Sequence, residues 1–225
     1  MARDTSPAAA PSPAEPPPLI SGRVHEACGS GRHAFAFVQA AGSSGAVLWI
    51  FDAARRERLC AQGIAAFIDP ARLVIARPTG AIAALQVMEE ALRSGAAPLV
   101  VAELDAAPDL TQSRRLQLAA GTGGGRGLCL VPEGRLATNA AETRWRCRPL
   151  AAPSSMGASK PARPLQLWEI VKNKRGPLGA WEVMLGSGMT VAERHIPGTG
   201  HRTAERPMAG GPGRSGRSGG HALGA

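Results

Sequence analysis

The sequence predicts an α/β domain: a mostly parallel sheet with flanking helices and a C-terminal antiparallel hairpin. Three observations lead there. Short, nearly continuous apolar runs recur over residues 46–51, 73–76 and 98–103, and strands covered by helices on both faces read this way rather than alternating. Between the second and third runs, Ile82, Leu85, Met88 and Leu92 recur at helical spacing. Beyond residue 142 the period falls to two. Thr143, Trp145 and Cys147 alternate with Arg144, Arg146 and Arg148, the pattern of a half-exposed strand.

Taken in order, residues 1–20 are rich in Pro and Ala; proline lacks an amide donor and the segment offers little apolar surface, so a disordered tail is expected. Residues 23–27 form a short strand running into Cys28-Gly29-Ser30-Gly31, and a helix over 34–41 carries Phe35, Phe37 and Val38. The run at 46–51 ends at Asp52, and the run at 73–76 is read as a second buried strand. Thr79 is placed to cap the helix that follows, and Gly95 to end it in the left-handed conformation. The third run puts Glu103 at the carboxyl end of its strand, the edge at which open parallel sheets gather ligands. Asp109 or Thr111 starts a second helix through Arg114, Arg115, Leu116 and Leu118, which the glycine-rich stretch 121–127 ends before residues 128–131 return to the sheet. Residues 151–164 read as a Pro/Ser/Gly linker within a domain spanning 21–186. Strands at 165–171 and 180–185 flank the basic turn Lys172-Asn173-Lys174-Arg175-Gly176-Pro177-Leu178-Gly179. From 187 to 225 Gly, Pro, Arg and Ser dominate, as in a flexible basic tail.

With 225 residues and 44% hydrophobic content, the chain suffices for one ordinary domain plus tails. Its net charge of +9 and pI near 10.8 point to a polyanionic partner. Heavy use of arginine beside abundant Ala, Gly and Pro leaves compositional drift as an equal reading. The charge is uneven, +3 over residues 1–159 and +6 over 160–225, so the last third is the more polyanion-facing part. Cys28, Cys60, Cys129 and Cys147 show no C-x-x-C spacing and no secretory pattern precedes them, so buried thiols in a reducing cytosol are expected and zinc is not. No apolar run is long enough to span a bilayer, so a cytoplasmic protein without a membrane partner is expected.

The chemistry turns on a loop that lacks its central residue. A phosphate-binding loop uses glycine-rich amides, a lysine reaching the β- and γ-phosphates, and a Ser or Thr for magnesium. The only loop placed for this is 28–34, with Gly29, Ser30, Gly31 and Arg32, and no lysine occurs before Lys160. Ser30 has no base or acid partner at a recognisable spacing, so no nucleophile is assigned. No catalytic residue, metal or cofactor is expected. Asp52 and Glu103 read either as remnants of a nucleotide site or as strand-end groups that cap neighbouring helices. His25 and His33 are read as structural.

Several stretches resemble the RecA recombinase family: Phe51-Asp52-Ala53-Ala54, residues 73–77, Ala91-Leu92-Arg93-Ser94-Gly95-Ala96 and the strand ending at Glu103, in that order. Val171-Lys172-Asn173-Lys174 resembles the hairpin that in that family carries two lysines to a neighbouring protomer's nucleotide. A closer resemblance is to the ImuA family of RecA-like accessory proteins in damage-induced mutagenesis. It rests on Gly22-Arg23-Val24-His25-Glu26, residues 88–95 with Ala102-Glu103-Leu104, and residues 173–182, and covers about 21–186. The resemblance implies a RecA-like sheet and a role in translesion DNA synthesis beside an ImuB-type Y-family polymerase relative and an error-prone DnaE-type polymerase. RecA and DNA stand as further contacts, with the protein at the nucleoid during damage. Ala54 occupies the position of the family's water-positioning glutamate, and methyl cannot activate water. Glu103 stands where the Walker B aspartate would be. The expectation is a noncatalytic adaptor, with Arg144, Arg146, Arg148, Lys172, Asn173, Lys174 and Arg175 as candidate DNA or partner contacts. Two rivals remain open: a weak nucleotide-dependent RecA paralogue holding phosphate by backbone amides alone, and a SulA-like inhibitor of cell division.

Overall fold

The first strand, β1 (Val24–Cys28), enters α1 (Arg32–Ala41) through a three-residue turn. Then come β2 (Val47–Ile50), a short α2 (Ala61–Ala65), a 3-10 turn (Pro70–Arg72), β3 (Leu73–Ala76), α3 (Ala81–Ser94), β4 (Leu99–Glu103), α4 (Leu110–Gly123) and β5 (Arg126–Leu130). Four strands complete the order: β6 (Thr143–Leu150), β7 (Leu165–Asn173), β8 (Gly179–Gly186) and β9 (Met189–Ile196). This computed structural model describes residues 16–55, 59–150 and 164–186 and the backbone of 189–196. Residues 151–163 of the expected linker at 151–164, the first fifteen residues of the expected N-terminal tail and the C-terminal tail beyond 196 lie outside the described residues.

The strands form one sheet in the order β3-β2-β4-β5-β1-β6-β7-β8-β9. Pairings from β3 to β6 are parallel and those from β6 to β9 antiparallel. The mixed α/β architecture, mostly parallel with an antiparallel C-terminal hairpin, is as the sequence predicts. Apolar layers cover both faces, which is why the central strands read as unbroken apolar runs. On one face α1 packs Phe35 and Phe37 among the buried Trp49, Trp145, Trp168 and Trp181, with Phe35 edge-on to Trp168 at a centroid distance of 4.9 Å. On the other, Ala84, Met88 and Leu92 of α3 meet Leu116, Ala119 and Ala120 of α4. Glu89 of α3 pairs with Arg93 of its own helix and bridges to α4 through Arg115, 2.8 Å away. No described helix is long and apolar enough to cross a membrane.

Local signals placed most elements, and several details differ. Gly95 caps α3 in the left-handed region as expected, and Asp109 forms a reciprocal capping box with Gln112 at α4. Thr79 does not cap α3; Gly80 occupies that position, and the Gly80 N–H is taken by Asp52 at 2.9 Å. Ile82 is exposed because it lies about 200° around the helix from Ala84 at 3.6 residues per turn. β3 is no interior strand. It ends the sheet, with Val74 and Ile75 exposed. β6 lies inside the sheet, flanked by β1 and β7. Leu19, inside the expected tail, is buried in the core, and Cys60 is exposed while the other three thiols are buried. β9 pairs with β8 where a tail was expected, since Thr190, Val191 and Ile196 supply β-branched residues among the flanking glycines.

His25 on β1 is buried between Thr143, 2.7 Å from its Nδ1, and the backbone of Ile20. Burial, against the Ile20 hydrogen bond and with the Arg126 charge, lowers its pKa from 6.5 to about 4. The unfolded chain therefore takes up a proton below 6.5 that the native state refuses, and stability falls as pH drops through this window. Urea midpoints should decline between pH 6.5 and 5, at up to about 1.4 kcal/mol per pH unit, and His25→Gln should flatten that decline. Glu103 is held below its ordinary range, so its own loss comes at lower pH. A flat wild-type profile in this window would disprove the buried neutral imidazole.

Candidate functional site

At the carboxyl end of β1 the chain turns through Gly29, Ser30 and Gly31, and Gly29 has φ of +87°. The Gly31 N–H donates to the Cys147 carbonyl of β6 at 2.9 Å. Arg32 folds back, its Nη1 donating to the Gly29 carbonyl at 3.0 Å. A Cβ at Gly29 would lie 2.2 Å from the Cys147 oxygen, and one at Gly31 2.6 Å from Gln166 Oε1. The glycines are thus small because β6 and β7 press on them. A phosphate-binding turn aims its free amides at the ligand; here the Gly31 amide is committed to the sheet.

Beside this turn lies a cleft of about 350 Å³ lined by Arg32, His33, Phe51, Arg55, Cys60 and Glu103. Both oxygens of Glu103 are engaged. Trp49 Nε1 donates to Oε1 at 2.7 Å, while Arg55 Nη1 and His33 Nε2 each lie 3.2 Å from Oε2. Burial would raise this carboxyl, but the hydrogen bonds from His33 and Trp49 and the charges of His33 and Arg55 outweigh it and hold the pKa below the ordinary value. Arg55 also reaches Asp105 at 2.5 Å. The result is a fixed anion in a cationic collar. Asp52 does not line the cleft: its oxygens accept the N–H groups of Ala54 at 2.8 Å and Gly80 at 2.9 Å, the capping role read as its alternative. Of the nucleotide-site positions picked from sequence, Arg32 and Glu103 share the cleft, with the glycine turn at its side. Trp49 and Arg55 were missed, and no local spacing marks either.

The second group of candidates is spread across β6 and the β7–β8 turn. Arg144 is 13% exposed and donates from Nε to Glu26 at 2.7 Å, itself 2% exposed. Arg146 pairs with Glu133 and Arg148 with Glu169, each at 3.1 Å. Lys172 Nζ donates to the Asn139 carbonyl at 2.7 Å and Lys174 Nζ to that of Ala140 at 2.6 Å. Burial, then repulsion from Arg144 and Lys174, lowers the Lys172 pKa. Asn173 accepts the Arg175 N–H and donates to the Pro177 carbonyl, which shapes the turn, and Arg175 stands 2.9 Å from Glu142. Most of these cations are spent inside the molecule. Only Lys174 and Arg175 combine exposure with a position at the turn.

No protein-family model matches the chain. Over 153 residues it is 35% identical to Protein ImuA from two strains of Caulobacter vibrioides, a match covering 61% of this chain and 59% of that protein. The chain thus spans less than two thirds of the length of these relatives. The resemblance to the ImuA family that its residues carry is borne out, and the chain is a relative of the ImuA proteins over that span.

Proposed function

We propose that the chain is a noncatalytic, RecA-like adaptor of damage-induced, error-prone translesion DNA synthesis, cytoplasmic and working beside an ImuB-type Y-family polymerase relative and a DnaE-type polymerase. One observation carries the noncatalytic reading: the turn after β1 is closed, its Gly31 amide given to Cys147 and its glycines pressed against β6 and β7. Ala54 at the position of the water-positioning glutamate and the lack of any lysine before Lys160 support it. An adaptor works through surface, and the terminal strand β3 offers some, with an edge unpaired among the described residues and exposed Val74 and Ile75 of the kind that added strands recognise.

The test is recovery of partners with the tagged full chain from DNA-damaged cells, with and without nuclease. The ImuB-type protein is expected in the nuclease-treated fraction. Its recovery only through nucleic acid, or not at all, would overturn the adaptor reading. In parallel, a fluorescent ATP analogue should show no saturable binding up to millimolar concentration; saturation below that would restore the nucleotide-dependent rival.

A further inference from the structure

A second concavity lies where the chain enters β1 and β6. Between α4 and the β7–β8 turn, a groove of about 510 Å³ is lined by Arg23, Arg114, Lys174, Arg175, Glu142 and Leu118. Its cations come from three separate parts of the chain: the residue before β1, α4, and the hairpin turn. A single carboxylate opposes them. Glu142 is 3% exposed and lies 3.8 Å from Arg23 Nε and 2.9 Å from Arg175 Nε, yet its Oε1 receives no hydrogen bond. It holds the Arg175 and Arg23 guanidinium groups by charge, one at each oxygen.

Arg114 is exposed and has no acidic partner among the described residues. Lys174 gives one of its three protons to Ala140, which leaves two. The groove therefore carries a surplus of cations with free donors, and guanidinium forks match phosphate oxygens in pairs. Leu118, 74% exposed, adds an apolar wall of the kind a sugar or base face can cover. The surplus continues along the sequence, since residues 160–225 carry +6, Lys174 and Arg175 included. A repeating array of phosphates fits this better than a single small anion.

We infer that this groove binds the phosphodiester backbone of nucleic acid. The inference is independent of the adaptor reading. It assigns binding to Arg23 and Arg114, which no sequence pattern singled out, and withdraws it from the β6 arginines that Glu26, Glu133 and Glu169 already hold.

The test is fluorescence anisotropy of labelled single- and double-stranded oligonucleotides with the full chain over a salt series. Arg114→Glu should weaken binding about tenfold or more, and Arg114→Ala should flatten the slope of log K against log salt by about 0.7 for a single strand or 0.9 for a duplex, one phosphate contact. Because Arg114 is exposed and unpaired, both variants should keep the wild-type melting temperature. Arg135→Glu makes the same charge change in the loop after β5, at an exposed position, and should alter affinity less than about twofold. Equal weakening by Arg114→Glu and Arg135→Glu, or none by Arg114→Glu, would mean that diffuse charge does the binding and would overturn the site. Displacement of the oligonucleotide by poly-glutamate at matched charge would assign the groove to an acidic protein instead.

Discussion

Glu26→Ala is expected to lower the unfolding free energy by about 3–5 kcal/mol, the cost of leaving a buried charge uncompensated. Glu26 lies in the middle of β1 with Arg144 directly opposite on β6, and its side chain is 2% exposed. Arg144 donates to it at 2.7 Å, Asn139 donates to its other oxygen, and Lys172 reaches from β7 to the Asn139 carbonyl. Removing the carboxylate strands the guanidinium and one amide hydrogen where water does not follow. The pair need not be stabilising in total, because an apolar pair of similar volume avoids both desolvation costs. A Glu26→Leu/Arg144→Met double variant should therefore lose much less than either single change. Urea midpoints of Glu26→Ala, Glu26→Leu, Arg144→Met and the double variant decide this, and a loss below about 1 kcal/mol in Glu26→Ala would show that the carboxylate is solvated.

Gly29→Ala is expected to cost about 2–5 kcal/mol. A left-handed backbone costs a residue with Cβ about 1–2 kcal/mol, and forcing apart a packed contact adds about 1–3 kcal/mol. The contact is severe, since the new methyl would lie 2.2 Å from the Cys147 oxygen and that atom belongs to the backbone of an interior strand. Ser30→Ala, one residue on and exposed, should stay within about 0.5 kcal/mol. If Gly29→Ala melts with the wild type, the turn stands clear of β6 and has room for a ligand, which removes the main support for a closed phosphate loop.

Signals within a few residues were legible. Asp109, one of the two starts read for α4, does cap it, and the alternation in β6 put Trp145 and Cys147 in the core as read. What was not legible depends on partners far along the chain. Arg144 looked like a free surface cation because Glu26 is 118 residues away. Glu103 was placed at its strand end correctly, yet Trp49 and Arg55, which hold it, lie 54 and 48 residues upstream. β3 read as an interior strand because its composition matches β2, and only the sheet order reveals that one of its sides is open. Composition specifies what a residue prefers, whereas sheet order decides whether it gets it.

The seating of the β1–α1 turn also bears on ancestry and reversibility. A lineage that had lost only a lysine could recover it by a single substitution. Here Arg32→Lys would put an amine on a turn whose Gly31 amide is already given to β6, a turn of three residues where a phosphate loop spans more. Recovery would need an insertion in the turn together with a retreat of Cys147 and Gln166, changes that are each harmful alone. Under the noncatalytic reading proposed above, packing of this kind acts as an evolutionary ratchet, which keeps the scaffold while opposing a stepwise return to nucleotide use.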